Sequence, residues 1–247
     1  MRNAGSWKAS KYVMRNGRLI ASRDLREVVV GSRLSADVIA GYFQRQLPLH
    51  AKGKLLDLGC GKAPLYATYK DLVAECVSVD WANTAHKNEH LDHECDLTQP
   101  LPFYDGEFDT IILSDVLEHI PTPEALCQEI ARTLAVNGKL IMNVPFLYWL
   151  HEEPHDFYRY TEFALRRFVA MAGLDLVMIE STGGSPEVMT DLFSKHVAQI
   201  PLIGSGCAAL AQWLTMGFVG TRLGKRLSNA TRQKFPLGYF LVATKPA

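Results

Sequence analysis

From residue 54 onward the chain alternates short apolar runs with capped amphipathic stretches, and this alternation constrains the fold more than any other feature. Lys54–Leu58, Glu75–Asp80, Phe108–Ser114, Lys139–Val144, Leu174–Glu180 and Gly238–Thr244 read as strands, with a weaker one near Leu91–Cys95. Runs that are apolar on both faces belong in a mostly parallel sheet with helices on both sides. Two helices between them are well signalled. Glu124–Ala135 carries Leu126, Cys127, Ile130, Ala131 and Leu134 at helical spacing, with Thr122 as N-cap, Pro123 at the first position and Gly138 after the end. Thr161–Ala172 repeats the design, with Thr161 as cap, a Phe163, Leu165, Phe168 and Val169 stripe, and Gly173 as stop. Earlier, Ser35–Leu47 reads as a helix capped by Ser35 and ended by Pro48. With 247 residues, 48% of them hydrophobic, the chain can bury one large core. The expected organisation is an N-terminal helical extension over 1–50 and one domain over 51–247, with a helical insertion at 186–235.

Charge and cysteine usage exclude other classes. Lys plus Arg and Asp plus Glu both number 26, so the basic excess needed to grip nucleic acid is absent. The five cysteines (Cys60, Cys76, Cys95, Cys127, Cys207) are scattered and never form CxxC. They read as free thiols of a reducing compartment. The first 30 residues lack the apolar core of a signal peptide, so a cytoplasmic location is expected.

The first strand runs into Gly59-Cys60-Gly61-Lys62-Ala63-Pro64, then a helix expected from about Pro64 to Lys70. A glycine turn between a strand and its helix lets the backbone approach a ligand closely. Asp57 lies inside the strand, where a buried carboxylate needs a cationic or hydrogen-bonding partner. The next strand ends at Asp80, placed to accept both hydroxyls of a ribose.

The segment L-L-D-L-G-C-G at 55–61 resembles the first motif of class I S-adenosylmethionine-dependent methyltransferases. The resemblance extends from about Gly53 to Glu180 and resumes at the terminal GYFLVAT strand. It implies a Rossmann-like α/β fold with a seven-stranded sheet whose last strand is antiparallel, and S-adenosyl-L-methionine as cofactor. It also implies roles. Asp57 contacts the methionine amino group, directly or through water, and Gly59 and Gly61 make room for the methionine and ribose parts. Asp80 holds the ribose hydroxyls, and Trp81 packs on adenine. Asp96 bonds the adenine amino group beside Leu97, while Ser114 and Asp115 border the cofactor. Ala63 stands where many members have a third glycine. The competing dinucleotide-binding pattern, that of a nicotinamide oxidoreductase, wants GxGxxG and meets Pro64 at its last position.

Ser114–Pro121 follows a strand carboxyl end, where open α/β sheets bind ligands. His119 is the first candidate for a proton acceptor, against a role in anchoring the following helix. His151-Glu152-Glu153-Pro154-His155 matches HExxH, but Pro154 disrupts the single helical face that a zinc site of this type requires. The tract Pro145–Tyr160 reads instead as a long functional loop. Its H-E-E-P-H-D-F-Y-R-Y-T resembles a bacterial subgroup of these methyltransferases associated with cell-surface glycan genes. His151, His155, Asp156, Tyr158 and Arg159 are placed at the acceptor site, against an internal network in which Asp156 pairs with Arg159. His86, His90, His93 and Cys95 match no familiar metal spacing and read as solvated surface. No metal is expected.

Val197–Thr221 contains no Asp, Glu, Lys or Arg and is followed by Arg222, Lys225, Arg226, Arg232 and Lys234. It reads as a helical cap over the acceptor site, with peripheral membrane contact or a true span as alternatives. The expected activity is methyl transfer to a small-molecule or glycan- or lipid-linked acceptor. The alternative is a non-catalytic scaffold of the same fold.

Overall fold

The computed structural model describes residues 1–81 and 89–247. A short hairpin opens the chain, β1 (Tyr12–Arg15) with β2 (Arg18–Ala21). Helix α1 (Arg33–His50) follows. It begins earlier than expected: Ser32 occupies the cap position, and Ser35 Oγ instead donates back to the Ser32 carbonyl at 3.0 Å. It also continues past Pro48 to His50. Pro48 sits in the last turn, where its missing N–H forfeits one helical bond and leaves little helix to break.

Next come β3 (Lys54–Leu58), α2 (Tyr66–Tyr69), β4 (Glu75–Asp80), β5 (His93–Glu94) and β6 (Phe108–Ser114). Then follow α3 (Pro123–Thr133), β7 (Leu134–Pro145), α4 (Glu162–Met171) and β8 (Asp175–Thr182). The chain closes with α5 (Ser185–Val197), α6 (Gly204–Gly220), α7 (Arg222–Thr231) and β9 (Gly238–Thr244). Thr161 caps α4 as expected, its hydroxyl accepting the Ala164 amide at 3.3 Å. Gly138 is not a helix stop: α3 passes directly into β7, and Gly138 lies within that strand.

The sheet is seven-stranded, in the order β5-β4-β3-β6-β7-β9-β8. Every neighbouring pair is parallel except those made by β9, which is antiparallel to β7 and β8. Alternate residues of each strand feed opposite layers. Leu56, Leu58, Ile111, Leu113, Leu140 and Met142 pack with α3 and α4 side chains such as Leu126, Ile130, Leu165 and Phe168. Leu55, Ile112, Ile141, Phe240 and Val242 pack on the other face with Phe43, Leu47 and Tyr69. The strand order reverses between β3 and β6, and a crevice opens there at their carboxyl ends.

The uncharged tract forms the end of α5, a short connection and α6. Among the described residues, no helix is long and apolar enough to cross a membrane. Helix α6 packs on α5 and beside Val30–Ser32, where Gln212 Nε2 donates to the Val30 carbonyl at 2.8 Å.

Candidate active site

One cavity of about 820 Å³ occupies the crevice, a size that accommodates a cofactor and a small substrate. Its first wall is the turn after β3. The amides of Gly59 and Cys60 both donate to the Val79 carbonyl, at 2.8 and 3.0 Å, which pins the turn to the end of β4. Gly59 has a φ of +72°, and a Cβ there would lie 2.5 Å from Val116 Cγ2, so only glycine fits. Gly61 has a φ of +54° and open space where a Cβ would be. Asp80 Oδ2 accepts the Gly61 amide at 2.7 Å, and its Oδ1 accepts the Trp81 amide at 2.7 Å. Asp96 accepts the Thr98 amide and hydroxyl at 2.9 and 2.8 Å, a local turn that fixes its carboxylate beside Leu97. Gly59, Gly61, Asp80, Trp81, Asp96, Leu97, Ser114 and Asp115 all line this cavity. Eight of the nine residues expected on the cofactor side are thus brought together.

Asp57 is the exception. It shares the strand face of Leu55, so its side chain enters the layer holding Tyr69, away from the cavity wall. Its carboxylate accepts the Tyr69 hydroxyl at 2.9 Å, the hydrogen-bonding partner its burial demands. Burial pushes its pKa up to about 7; the Tyr69 hydrogen bond opposes the shift and the Asp80 charge adds to it.

The second wall is the tract after β6 and the loop 145–160. Asp115, at a φ of +54°, receives Lys11 Nζ at 2.8 Å and Asn143 Nδ2 at 2.6 Å. Burial acts against the Lys11 charge, but Asp115 overcomes it and holds the ammonium above its usual range. Glu118 is 0% exposed, and among the described residues neither of its carboxylate oxygens has a hydrogen-bond partner. Burial, reinforced by Asp115, pushes its pKa well up. His119 turns Nδ1 to the His155 carbonyl at 2.9 Å. In the neutral ring this places the N–H on Nδ1 and the lone pair on Nε2. His151 Nε2 lies 3.8 Å from Glu118 Oε1, and its ring meets that of His119 edge-on, with centroids 4.7 Å apart. Burial, then the neighbouring His119, lowers the His151 pKa. The His155 ring contacts Trp81 at 5.3 Å, joining the two walls.

His119, His151 and His155 all line the cavity; Asp156 and Tyr158 do not. Asp156 forms the internal network weighed above, accepting both terminal nitrogens of Arg159 at 2.6 and 2.7 Å and the His151 amide at 2.9 Å. Burial raises its pKa, but Arg159 and the His151 amide outweigh that and hold it down to about 2. The Tyr158 hydroxyl donates to the Pro121 carbonyl at 3.0 Å. Both are therefore removed from the group of residues facing a substrate. Residues 151–160 contain no helix, which disposes of the HExxH geometry. Of the other histidine group, His86 lies outside the described residues, His93 packs on Phe103, and the His90 carbonyl accepts the Ser78 hydroxyl.

Sequence reasoning missed the N-terminal contribution. Ser10, Lys11, Val28, Ser32 and Ala36 line the cavity, so 1–50 is part of its wall. No local motif signals this, because Lys11 meets Asp115 across more than a hundred residues of chain. Conversely, nothing from 186–235 lines the cavity. These helices buttress its wall from behind: Val188 and Met216 pack with Leu34 and Leu237.

The family model described as a methyltransferase domain matches residues 32–178. A ubiquinone biosynthesis O-methyltransferase of Xanthomonas euvesicatoria is 30% identical over 112 residues, covering 41% of this chain and 46% of that protein. The 27-O-demethylrifamycin SV methyltransferase of Amycolatopsis mediterranei is 30% identical over 108 residues, covering 39% and 40%. The chain thus spans less than half the length of these curated relatives. Among solved structures, the [4+2]-cyclase SpnF aligns with a TM-score of 0.55 at 17% identity, over 97% of this chain and 87% of that one. Phosphoethanolamine N-methyltransferase 2 of Haemonchus contortus, solved with S-adenosyl-L-methionine, aligns at 0.53 and 15% identity, over 91% and 59%. At such identities these two likenesses establish the fold.

Proposed function

The chain belongs to the class I methyltransferase-domain family, whose cofactor is S-adenosylmethionine, and on that premise we propose that it methylates a small-molecule or glycan- or lipid-linked acceptor. One observation carries this reading: a single cavity joins the glycine turn, Asp80, Trp81 and Asp96 to His119, His151 and His155. The residues present suit the cofactor. Gly61 leaves open space for close approach, and Asp80 is an acid at a strand carboxyl end that lines the same cavity. Asp80 would hold the ribose hydroxyls, Trp81 and Leu97 the adenine faces, and Asp96 the adenine amino group.

When bound, the cofactor supplies an electrophilic methyl group, so the protein's main task is positioning. A base is required only where the nucleophile must lose a proton. The His119 Nε2 lone pair is suited to that step, because the His155 carbonyl keeps the other nitrogen protonated. The two curated relatives are O-methyltransferases by name or by demethyl substrate, which supports an oxygen nucleophile here. The test is calorimetry with S-adenosylhomocysteine, then a cofactor-turnover assay across hydroxylated small molecules and glycan intermediates, with mass spectrometry for the gain of one methyl. Binding with product formation supports the reading. Failure of the folded protein to bind at millimolar ligand ends it, and binding without product across the panel favours the scaffold alternative.

A peripheral membrane contact is proposed on a separate observation. Leu210, Trp213, Leu214 and Phe218 form an outward stripe on α6, with Trp213 71% exposed, and Arg222, Lys225 and Arg226 follow on α7. An apolar stripe beside a basic one suits an anionic lipid surface. Co-sedimentation with phosphatidylserine vesicles, compared with neutral ones, tests it.

A further inference from the structure

We propose that Glu118, His119 and His151 form a binding site for one divalent transition-metal ion, facing the cavity and able to take an oxygen of the acceptor as a further ligand. The proposal refines the acceptor half of the reading above, and its metal-binding core can be tested without it.

The donor geometry comes first. Glu118 Oε1 lies 3.8 Å from His119 Nε2 and 3.8 Å from His151 Nε2. All three potential ligand atoms fall within 4.8 Å of one another. Donors on one metal at bond lengths of about 2.0–2.2 Å stand ~3.3 Å apart along a tetrahedral edge and at most ~4.2 Å apart. Closing to a tetrahedral edge takes about 0.5 Å on each Glu118 edge and at most ~1.5 Å between the two histidines, within reach of side-chain rotation. Two imidazoles and one carboxylate are a donor set that suits zinc and its first-row neighbours, with open positions left for water or substrate.

The surroundings of each donor point the same way. A metal-bound histidine almost always gives its other ring N–H to a carbonyl or carboxylate, which orients the ring. His119 directs Nδ1 to the His155 carbonyl at 2.9 Å, leaving Nε2 buried without a hydrogen-bond partner. His151 Nδ1 lies 3.2 Å from Asp156 Oδ2, an ion-pair distance although its angle falls outside a hydrogen bond. Arg159 in turn holds Asp156. This gives the Asp156–Arg159 network a purpose in aiming His151.

Burial supplies the second, independent observation. Lys11 pairs with Asp115, and Arg159 pairs with Asp156. That leaves Glu118, fully buried, with two oxygens that accept no hydrogen bond among the described residues and with the His119 and His151 rings as its ion-pair neighbours at 3.8 Å. Buried polar atoms without partners are expensive to keep, and a divalent ion would take up the lone pairs of Glu118 and His119 together. Glu152 Oε2, 4.0 Å from His119 Nε2, stands on the solvent side as a further oxygen. A bound metal would occupy the His119 Nε2 lone pair and so replace its role as proton acceptor, easing ionisation of a coordinated acceptor hydroxyl instead. The three donors lie on two segments more than 30 residues apart, so no spacing rule finds them. The HExxH pattern that suggests zinc in the sequence contributes only its first histidine.

The test uses the full chain after chelator treatment, titrated with Zn²⁺ by calorimetry and with Co²⁺ by visible absorption. One equivalent should bind, with Co²⁺ bands characteristic of nitrogen ligation. Glu118→Gln and His151→Ala should each lose at least ~100-fold in affinity, and Asp156→Asn ~10–100-fold. His196→Ala, on α5 and away from the cavity, should bind as the wild type does. Thermal melting establishes that each variant is folded. Failure of the folded wild type to bind Zn²⁺, or binding unaffected by Glu118→Gln and His151→Ala, overturns the proposal. S-adenosylhomocysteine binding measured on the metal-free wild type separates the two readings. Its presence without Zn²⁺ binding removes the metal alone, and Zn²⁺ binding without it removes the methyltransferase reading alone.

Discussion

The two walls of the cavity solve the problem of buried polarity in opposite ways. On the glycine-turn wall the polar groups are satisfied by neighbours close in the fold: Asp80 by the amides of Gly61 and Trp81, Asp96 by Thr98, and Asp57 behind it by Tyr69. On the 115–155 wall, Glu118 Oε1 and Oε2 and His119 Nε2 are buried without such partners. Unsatisfied buried groups cost stability and are retained where they serve a function. The first wall is thus a preformed cradle, while the second keeps buried polar atoms that no described residue satisfies.

The largest expected effect lies behind the cradle. Burial raises the Asp57 pKa to about 7, so the folded protein holds a proton that the unfolded chain releases above about pH 4. The associated stabilisation is present below about pH 4 and is lost as pH rises through about 7, on the order of 4 kcal/mol in all. Asp57→Asn keeps an acceptor for Tyr69 and removes the ionisation. Urea unfolding should show the variant gaining on the wild type as pH rises from 4 to 8. Parallel curves would mean that Asp57 ionises freely and that the cradle is not closed behind its turn.

On the ligand-facing wall, His119→Ala should cost turnover ~10²-fold or more if oxygen is the nucleophile, while S-adenosylhomocysteine affinity stays within about twofold. A turnover loss matched by an equal affinity loss would merge the two walls into one. In the cradle itself, Gly59→Ala should destabilise by about 1–3 kcal/mol in thermal unfolding, because the new methyl meets Val116 at a positive φ. An unchanged melt would show that the turn is looser than described. The smallest effect belongs to the outer helix. Trp213→Ser with Leu214→Ser should change stability by no more than about 0.5 kcal/mol yet weaken binding to anionic vesicles. Unaltered vesicle binding would remove the membrane contact.

The same contrast explains what could be read from the chain. The cradle was legible because its residues sit at the ends of consecutive strands, where motif, strand period and turn chemistry coincide. Asp57 does not line the cavity, because the period-two rule sets it on the face of Leu55 and its carboxylate meets Tyr69. The second wall was legible only in part. His119, His151 and His155 line the cavity, but Asp156 and Tyr158 do not, their polar atoms being taken up by Arg159 and the Pro121 carbonyl. Lys11 escaped notice because its partner Asp115 is distant in sequence and the first 50 residues carry no motif. The outer helices were recognised as an insertion, but their apolar character said nothing about which surface they would cover.

The division of labour between the walls is tested most directly by calorimetric titration of S-adenosylhomocysteine into the wild type, Asp80→Ala and His155→Ala. Loss of a charged acceptor costs about 1.5–3 kcal/mol, so Asp80→Ala should bind at least tenfold more weakly, with His155→Ala within about twofold of the wild type. Equal losses in the two variants, or none in Asp80→Ala, would contradict the account.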